Sequence, residues 1–164
     1  LGEASAPSHV FLQAGVGTMA AALIAQFARR LGERTPRFVI VEPERAACVL
    51  RSLTARAETP VDGPLDTLLD CLAAGRVSAT AWPVLRDRVD VALAITDSAC
   101  ARALRDAAAG AFGAPLDVGP SGIAGLAGLL VASADPAVGG GGGGGAPRRR
   151  PPRGGGGKSA YLPL

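Results

Sequence analysis

Histidine and lysine are almost absent from this chain, and each scarcity narrows its chemistry. The 164 residues hold one histidine, His9, and one lysine, Lys158. A single imidazole cannot build a multi-histidine metal site, and no acid or nucleophile near His9 in the sequence marks it as a base. Cysteine occurs three times, as Cys48, Cys71 and Cys100, far apart and without CxxC spacing. An odd, scattered set reads as reduced thiols in a cytosolic protein, used as small buried hydrophobes, and not as a disulfide frame or zinc site. No metal ligands are therefore expected. Long apolar runs are missing too. The most apolar segment, residues 123–134, contains two glycines and is too short to cross a bilayer, so no membrane association is expected. No charged-then-apolar signal opens the chain, and its first residue is Leu1. With so little sequence ahead of the first strand, the chain is expected to be a piece of a longer one.

What is present divides sharply in two. Residues 1–138 are rich in Ala, Val and Leu and form the expected domain. Residues 139–164 run from a glycine tract through "APRRRPPR" and a second glycine tract to "KSAYLPL". Such a tail has little to bury and much backbone entropy to lose, so it is expected to be disordered. It carries four arginines and Lys158 with no acid, whereas the body has 12 arginines against 14 acids. The net charge of +3 thus belongs to the tail and says nothing about the body's ligand. Four clustered arginines with a lone Tyr161 to stack on are a poor nucleic-acid element. A frame change in GC-rich DNA, giving non-native tail sequence, accounts for them better.

The body reads as strands and helices in alternation. Residues 10–13 form a buried strand, 18–31 a helix ended near Gly32, and 38–42 a second strand stopped by Pro43. Helical spacing follows over 44–57, a short helix within 62–75, and another around 82–89. "VALAI" is a third strand, and Thr96 or Asp97 caps a helix running to about Ala109. A last helix covers 123–133 with its N-terminus at Ser121. Near-continuous apolar strands separated by helices imply an α/β fold: a parallel, three-layer open sheet with helices on both faces. Three strands make it incomplete.

The stretch "HVFLQAGVGTMAAAL" carries the chemistry. A strand, two glycines two residues apart and an alanine-rich helix describe a turn whose free N–H groups and helix dipole attract an anion. Gly15 and Gly17 would let a phosphate approach the backbone without side chains in the way. Two specific readings fit. In the first, "GVGTMA" is a dinucleotide fingerprint, with Glu42 at the end of the next strand placed to hold a ribose hydroxyl.

The second uses more of the chain. "HVFLQAGVGTMAAA", "RFVIVEPERAACVLRS", "LDTLLDCLAAG", "AWPVLRD" and "GPSGIAGLAGLL" occur in the order and spacing of one family. Together they resemble the C-terminal part of diaminopropionate ammonia-lyase, a fold type II pyridoxal-phosphate enzyme of the tryptophan synthase β superfamily. The resemblance implies that the cofactor is pyridoxal 5'-phosphate and that backbone amides of Gly15, Val16, Gly17, Thr18 and Met19 cradle its phosphate. Ser121 would face the pyridine nitrogen, although its hydroxyl could equally cap the last helix. Glu42 would be the polar end of a buried strand and Asp97 a helix cap. The implied reaction converts the amino-acid substrate 2,3-diaminopropionate to pyruvate and ammonia, in a cytoplasmic homodimer acting in amino-acid catabolism.

The family also needs a cofactor-holding lysine, and Lys158 matches none, so the resemblance supplies no catalytic residue here. Cys71, Arg76 and Pro120 depart from the family pattern near the rim of its active site, which leaves other β-eliminating activities, such as a serine or threonine dehydratase, open. The expected chain is a fragment of such a lyase, inactive by itself. A third possibility is a truncated or frameshifted gene product with no function of its own.

Overall fold

The computed structural model describes residues 6–134 and 160–163. Strand β1 (His9–Gln13) leads into helix α1 (Thr18–Leu31), then β2 (Arg37–Pro43) and α2 (Cys48–Ala55). After a long loop come α3 (Trp82–Arg88), β3 (Val91–Ile95), α4 (Asp97–Ala108) and α5 (Pro120–Ala134). A fourth strand, β4 (Ala160–Pro163), completes the set. All neighbours pair parallel, in the order β1-β2-β3-β4.

Alternation along the strands sends successive side chains to opposite faces, and both faces are covered. Leu12, Phe38, Ile40 and Ala92 join a core with residues of α1, α2 and α3. Val41 and Ile95 pack on the other side against α4 and α5, and Val39 and Leu93 lie on that same face. This is the expected three-layer α/β arrangement. No helix among the described residues is long and apolar enough to cross a membrane.

Four local expectations are corrected. The helical spacing over residues 44–57 resolves into a 3-10 turn at Glu44–Ala46 and a shorter α2, because Ala47 (φ −84°, ψ 61°) lies outside helical geometry. No α-helix forms within 62–75, where there is only a 3-10 turn at Asp70–Leu72. The Val61 amide donates to the Gly75 carbonyl at 2.8 Å, closing the segment as a loop. Its Thr67 hydroxyl and Leu68 amide are drawn to Asp97 at 2.6 and 3.0 Å. Pro64 also disfavours a helix running through it.

Cys71 is exposed on that loop, unlike buried Cys48 and Cys100, so it is no core hydrophobe. The fourth correction is the strand count, which rises from three to four. β4 comes from the segment read as a disordered tail, the rest of which lies outside the described residues apart from Ala160–Pro163. Composition pointed to disorder, but the apolar end of the chain pairs with β3.

Thr96 caps α4, its hydroxyl accepting the Ala99 amide at 3.2 Å, while Asp97 follows in the first turn and fastens the loop. Thr96→Ala should lower unfolding free energy by about 1 kcal/mol, the usual cost of a lost cap. Chemical denaturation would check it, and a change below about 0.3 kcal/mol would mean that the cap contributes nothing here.

Candidate functional site

The glycine turn sits at the carboxyl end of β1, where ligands of open parallel sheets bind. Residues Gly15, Val16, Gly17, Thr18 and Met19 line one side of a cleft of about 300 Å³. Ser121, from the first turn of α5, and Cys71, from the 70–72 turn, close the other side. The structure therefore brings all six sequence-derived candidates into one cleft, although Ser121 is about a hundred residues away in sequence.

Helix α1 begins without the devices that normally finish a helix start. Gly17 occupies its N-cap position, no side chain caps it, and no acid lies in its first turn. By contrast α4 has Thr96 and Asp97, and α2 has its amides bonded by Glu42. Among the described residues, no protein group accepts the backbone N–H of residues 15–20. Uncompensated amides at a helix start, together with the helix dipole, form an anion site.

The direction of these amides is fixed from behind. A trans peptide points its C=O and the following N–H opposite ways. The Gly15 carbonyl accepts from the Cys48 thiol at 3.5 Å, the Val16 carbonyl from the Ser78 amide at 2.8 Å, and the Gly17 carbonyl from the Ala21 amide at 2.9 Å. Three successive carbonyls are thus tied back into the protein. The N–H groups of Val16, Gly17 and Thr18 point away from those ties.

The two glycines have a different purpose from the one expected. A Cβ on Gly15 would meet the Cys71 carbonyl oxygen at 3.1 Å and the Leu72 Cα at 3.2 Å. A Cβ on Gly17 would lie 2.6 Å from Leu85 Cδ1, and Gly17 has φ +86°. Both missing side chains would point at the protein. The glycines let the turn lie against the 70–72 segment and α3, and Gly17 also supplies a left-handed conformation. Clearing a path for an anion is not what requires them.

Ser121 is the second residue of α5, which begins at Pro120, so it is no N-cap. Its Oγ accepts the Cys71 amide at 3.2 Å. That bond uses a lone pair and leaves the hydroxyl proton available to donate. Val16 and Met19 are 45% and 51% exposed, so the cleft's mouth is apolar while its floor is backbone amide.

Glu42 is fully buried on the face covered by α1, α2 and α3. Its two carboxylate oxygens accept the Val49 and Leu50 amides at 2.8 and 2.7 Å. Burial outweighs these bonds and pushes its pKa up to about 8. Its oxygens close the start of α2, as expected for the polar end of a buried strand. The Cys48 thiol is pushed up to about 12, first by burial and then by Glu42. It stays protonated at neutral pH and able to donate. His9 lies exposed at the amino end of β1, away from the carboxyl-end loops.

Sequence reasoning missed Cys48 and Ser78 as supports of the turn. Cys48 read only as a small hydrophobe, and nothing around "GRVSA" marks Ser78 as a donor. A second, acidic groove lies across the 70–72 turn, lined by Glu44, Asp66, Asp70 and Asp97 with Arg45. Among the described residues, no group of three or more His, Cys, Asp or Glu is placed to hold a metal ion.

Comparison with known proteins places this geometry. Residues 1–142 match the model of a family described as "Pyridoxal-phosphate dependent enzyme". The diaminopropionate ammonia-lyase of Salmonella typhimurium is 34% identical over 128 residues, which is 76% of this chain and 31% of that protein. A crystal structure of the Escherichia coli diaminopropionate ammonia lyase with D-serine superposes with a TM-score of 0.66 at 28% identity. It covers 80% of this chain and 32% of that one. A bacterial-type match of the same order is the crystal structure of a T.th. threonine deaminase, with a TM-score of 0.68 at 28% identity over 76% of this chain and 40% of that one. The chain thus spans about a third of the length of the curated lyases it matches. A fold type II sheet, a helix start built for an anion and the match over residues 1–142 lead to one assignment: this chain belongs to the family of pyridoxal-phosphate dependent enzymes.

Proposed function

We propose that this chain is the phosphate-holding part of a pyridoxal-phosphate-dependent ammonia-lyase whose substrate is 2,3-diaminopropionate. The observation that carries it is the start of α1. Its amides have no acceptor among the described residues, and its carbonyls are tied behind them. A phosphate dianion fits that donor set, with no basic side chain required. When bound, pyridoxal phosphate supplies a conjugated ring that stabilises negative charge at the substrate's α carbon while the β amine leaves.

The chain's own residues bind and orient. Amides of residues 15–19 fix the phosphate, and the Ser121 hydroxyl donates to the pyridine nitrogen. A neutral donor leaves that nitrogen unprotonated, which favours elimination over transamination. Val16 and Met19 form the apolar wall of the cleft. The lysine and the substrate-binding acids come from the remainder of a cytoplasmic homodimer. Lys158, the chain's one lysine, lies outside the described residues and matches no family position, so this chain alone does not turn over substrate.

Thermal melting of the full chain with added ligands tests this reading. Pyridoxal phosphate and inorganic phosphate should both raise the melting temperature, while pyridoxal and NAD should not. A ligand at a hundred times its Kd adds about 2.7 kcal/mol of stability. Protection by NAD without protection by phosphate would overturn the proposal and favour the dinucleotide reading.

A further inference from the structure

We propose that Cys48 is a positioning residue for the phosphate-binding turn, its thiol holding the Gly15 carbonyl so that the Val16 amide faces the cleft. The inference rests on the phosphate reading above and assigns a task to a residue that touches no ligand. Of the three ties behind the turn, those from Ser78 and Ala21 are backbone amides. The tie from Cys48 is the one made by a side chain, so substitution can remove it.

The geometry around the thiol is closed. Cys48 is the first residue of α2 and fully buried, with Sγ 3.5 Å from the Gly15 oxygen. Its place depends on where α2 begins, and Glu42 sets that by holding the next two amides, of Val49 and Leu50. Val49 also lies against the turn, its Cγ2 3.5 Å from the site a Gly17 Cβ would take. A line of contacts therefore runs from the end of β2, through the start of α2, to the peptide between Gly15 and Val16.

A peptide with no support behind its carbonyl can flip, and the Gly15 peptide is especially free because glycine tolerates either orientation. Flipping would point a carbonyl oxygen at the phosphate in place of an N–H. Holding the carbonyl from behind removes that state before ligand arrives, which is preorganisation of a binding site. A neutral thiol suits the task because it donates without adding charge beside an anion site.

Cys48→Ala, Cys48→Ser and Leu53→Ala in the full chain provide the test. Leu53 is a buried residue of α2 in the same core. It serves as a control for loss of packing alone. Two quantities are read: the Kd for inorganic phosphate, and the number of backbone NMR resonances for Gly15 and Val16 without ligand. Cys48→Ala should weaken phosphate binding about fivefold, the worth of one hydrogen bond, and give two sets of resonances. Cys48→Ser should restore one set and bring affinity back to within about twofold of the unsubstituted chain. Leu53→Ala should lower the melting temperature while leaving affinity and resonances unchanged.

Unchanged binding and a single set of resonances in Cys48→Ala would overturn the proposal. Equal effects from Leu53→Ala would overturn it too, by showing that loosened packing suffices. If the unsubstituted chain binds no phosphate, the functional reading fails, and the resonances alone still decide whether Cys48 fixes the turn.

Discussion

Gly17→Ala is expected to destabilise the chain by about 3 kcal/mol and to abolish phosphate binding. Two costs add. A left-handed conformation for a residue with a Cβ costs about 1–2 kcal/mol, and Gly17 sits at φ +86°. The new methyl group would also lie 2.6 Å from Leu85 Cδ1, and Leu85 is fully buried with no room to retreat. Forcing such contacts in a packed core costs about 1–3 kcal/mol. The chain can relieve both only by moving the turn, which misdirects the amides of residues 16–18.

Urea unfolding gives the stability loss, and a phosphate titration gives the binding loss. Gly17→Ala with Leu85→Ala separates the two costs, because it removes the collision and keeps the backbone strain. If that pair binds phosphate normally, packing alone disables the turn. A single Gly17→Ala within about 0.5 kcal/mol of the parent would show that the turn tolerates a side chain, against the geometry described here.

The second large effect is a pH dependence of stability governed by Glu42. Its folded pKa, about 8, lies above the ordinary 4.5 because burial disfavours the carboxylate more than two amides favour it. The folded state therefore binds this proton more tightly than the unfolded state does. Stability from this group is fully present below pH 4.5 and falls as pH rises towards 8. Inside that window the loss approaches about 1.4 kcal/mol for each pH unit. Glu42→Gln cannot ionise, so its slope should be flatter over the same range. It should also be less stable at pH 5, since an amide has one acceptor for the two N–H groups of Val49 and Leu50. Denaturation of both proteins from pH 5 to 8 measures the slopes. Parallel slopes would mean that Glu42 ionises in the folded chain as easily as in the unfolded one.

These effects reach the functional site through contacts far apart in sequence. Glu42 fixes the start of α2, α2 carries Cys48, and Cys48 holds the turn. Leu85 reaches the turn from a helix on the far side of the long loop. A family relationship explains that a phosphate turn is present. Its supports are a matter of how this chain packs.

What the sequence determined alone is what short-range pattern can encode. The α1 boundaries follow from glycines on either side of an alanine-rich run, and β1 to β3 from unbroken apolar stretches. The anion turn, its candidate residues and the family were also legible, because glycine spacing and five motifs in register are local signals. Tertiary structure decided the rest. Residues 62–75 have helical composition, yet Asp97 and the Val61–Gly75 bond make them a loop with Cys71 exposed. Gly15 and Gly17 looked like open space for an anion, and packing shows that their missing side chains would strike Leu72 and Leu85. Glu42 could have met a ribose or a helix start, and only the position of α2 chose between them. Which of several satisfying partners a polar group takes, and which way a missing Cβ would point, depend on residues distant in the chain. Periodicity and spacing carry no record of those residues, so folding alone settles the matter.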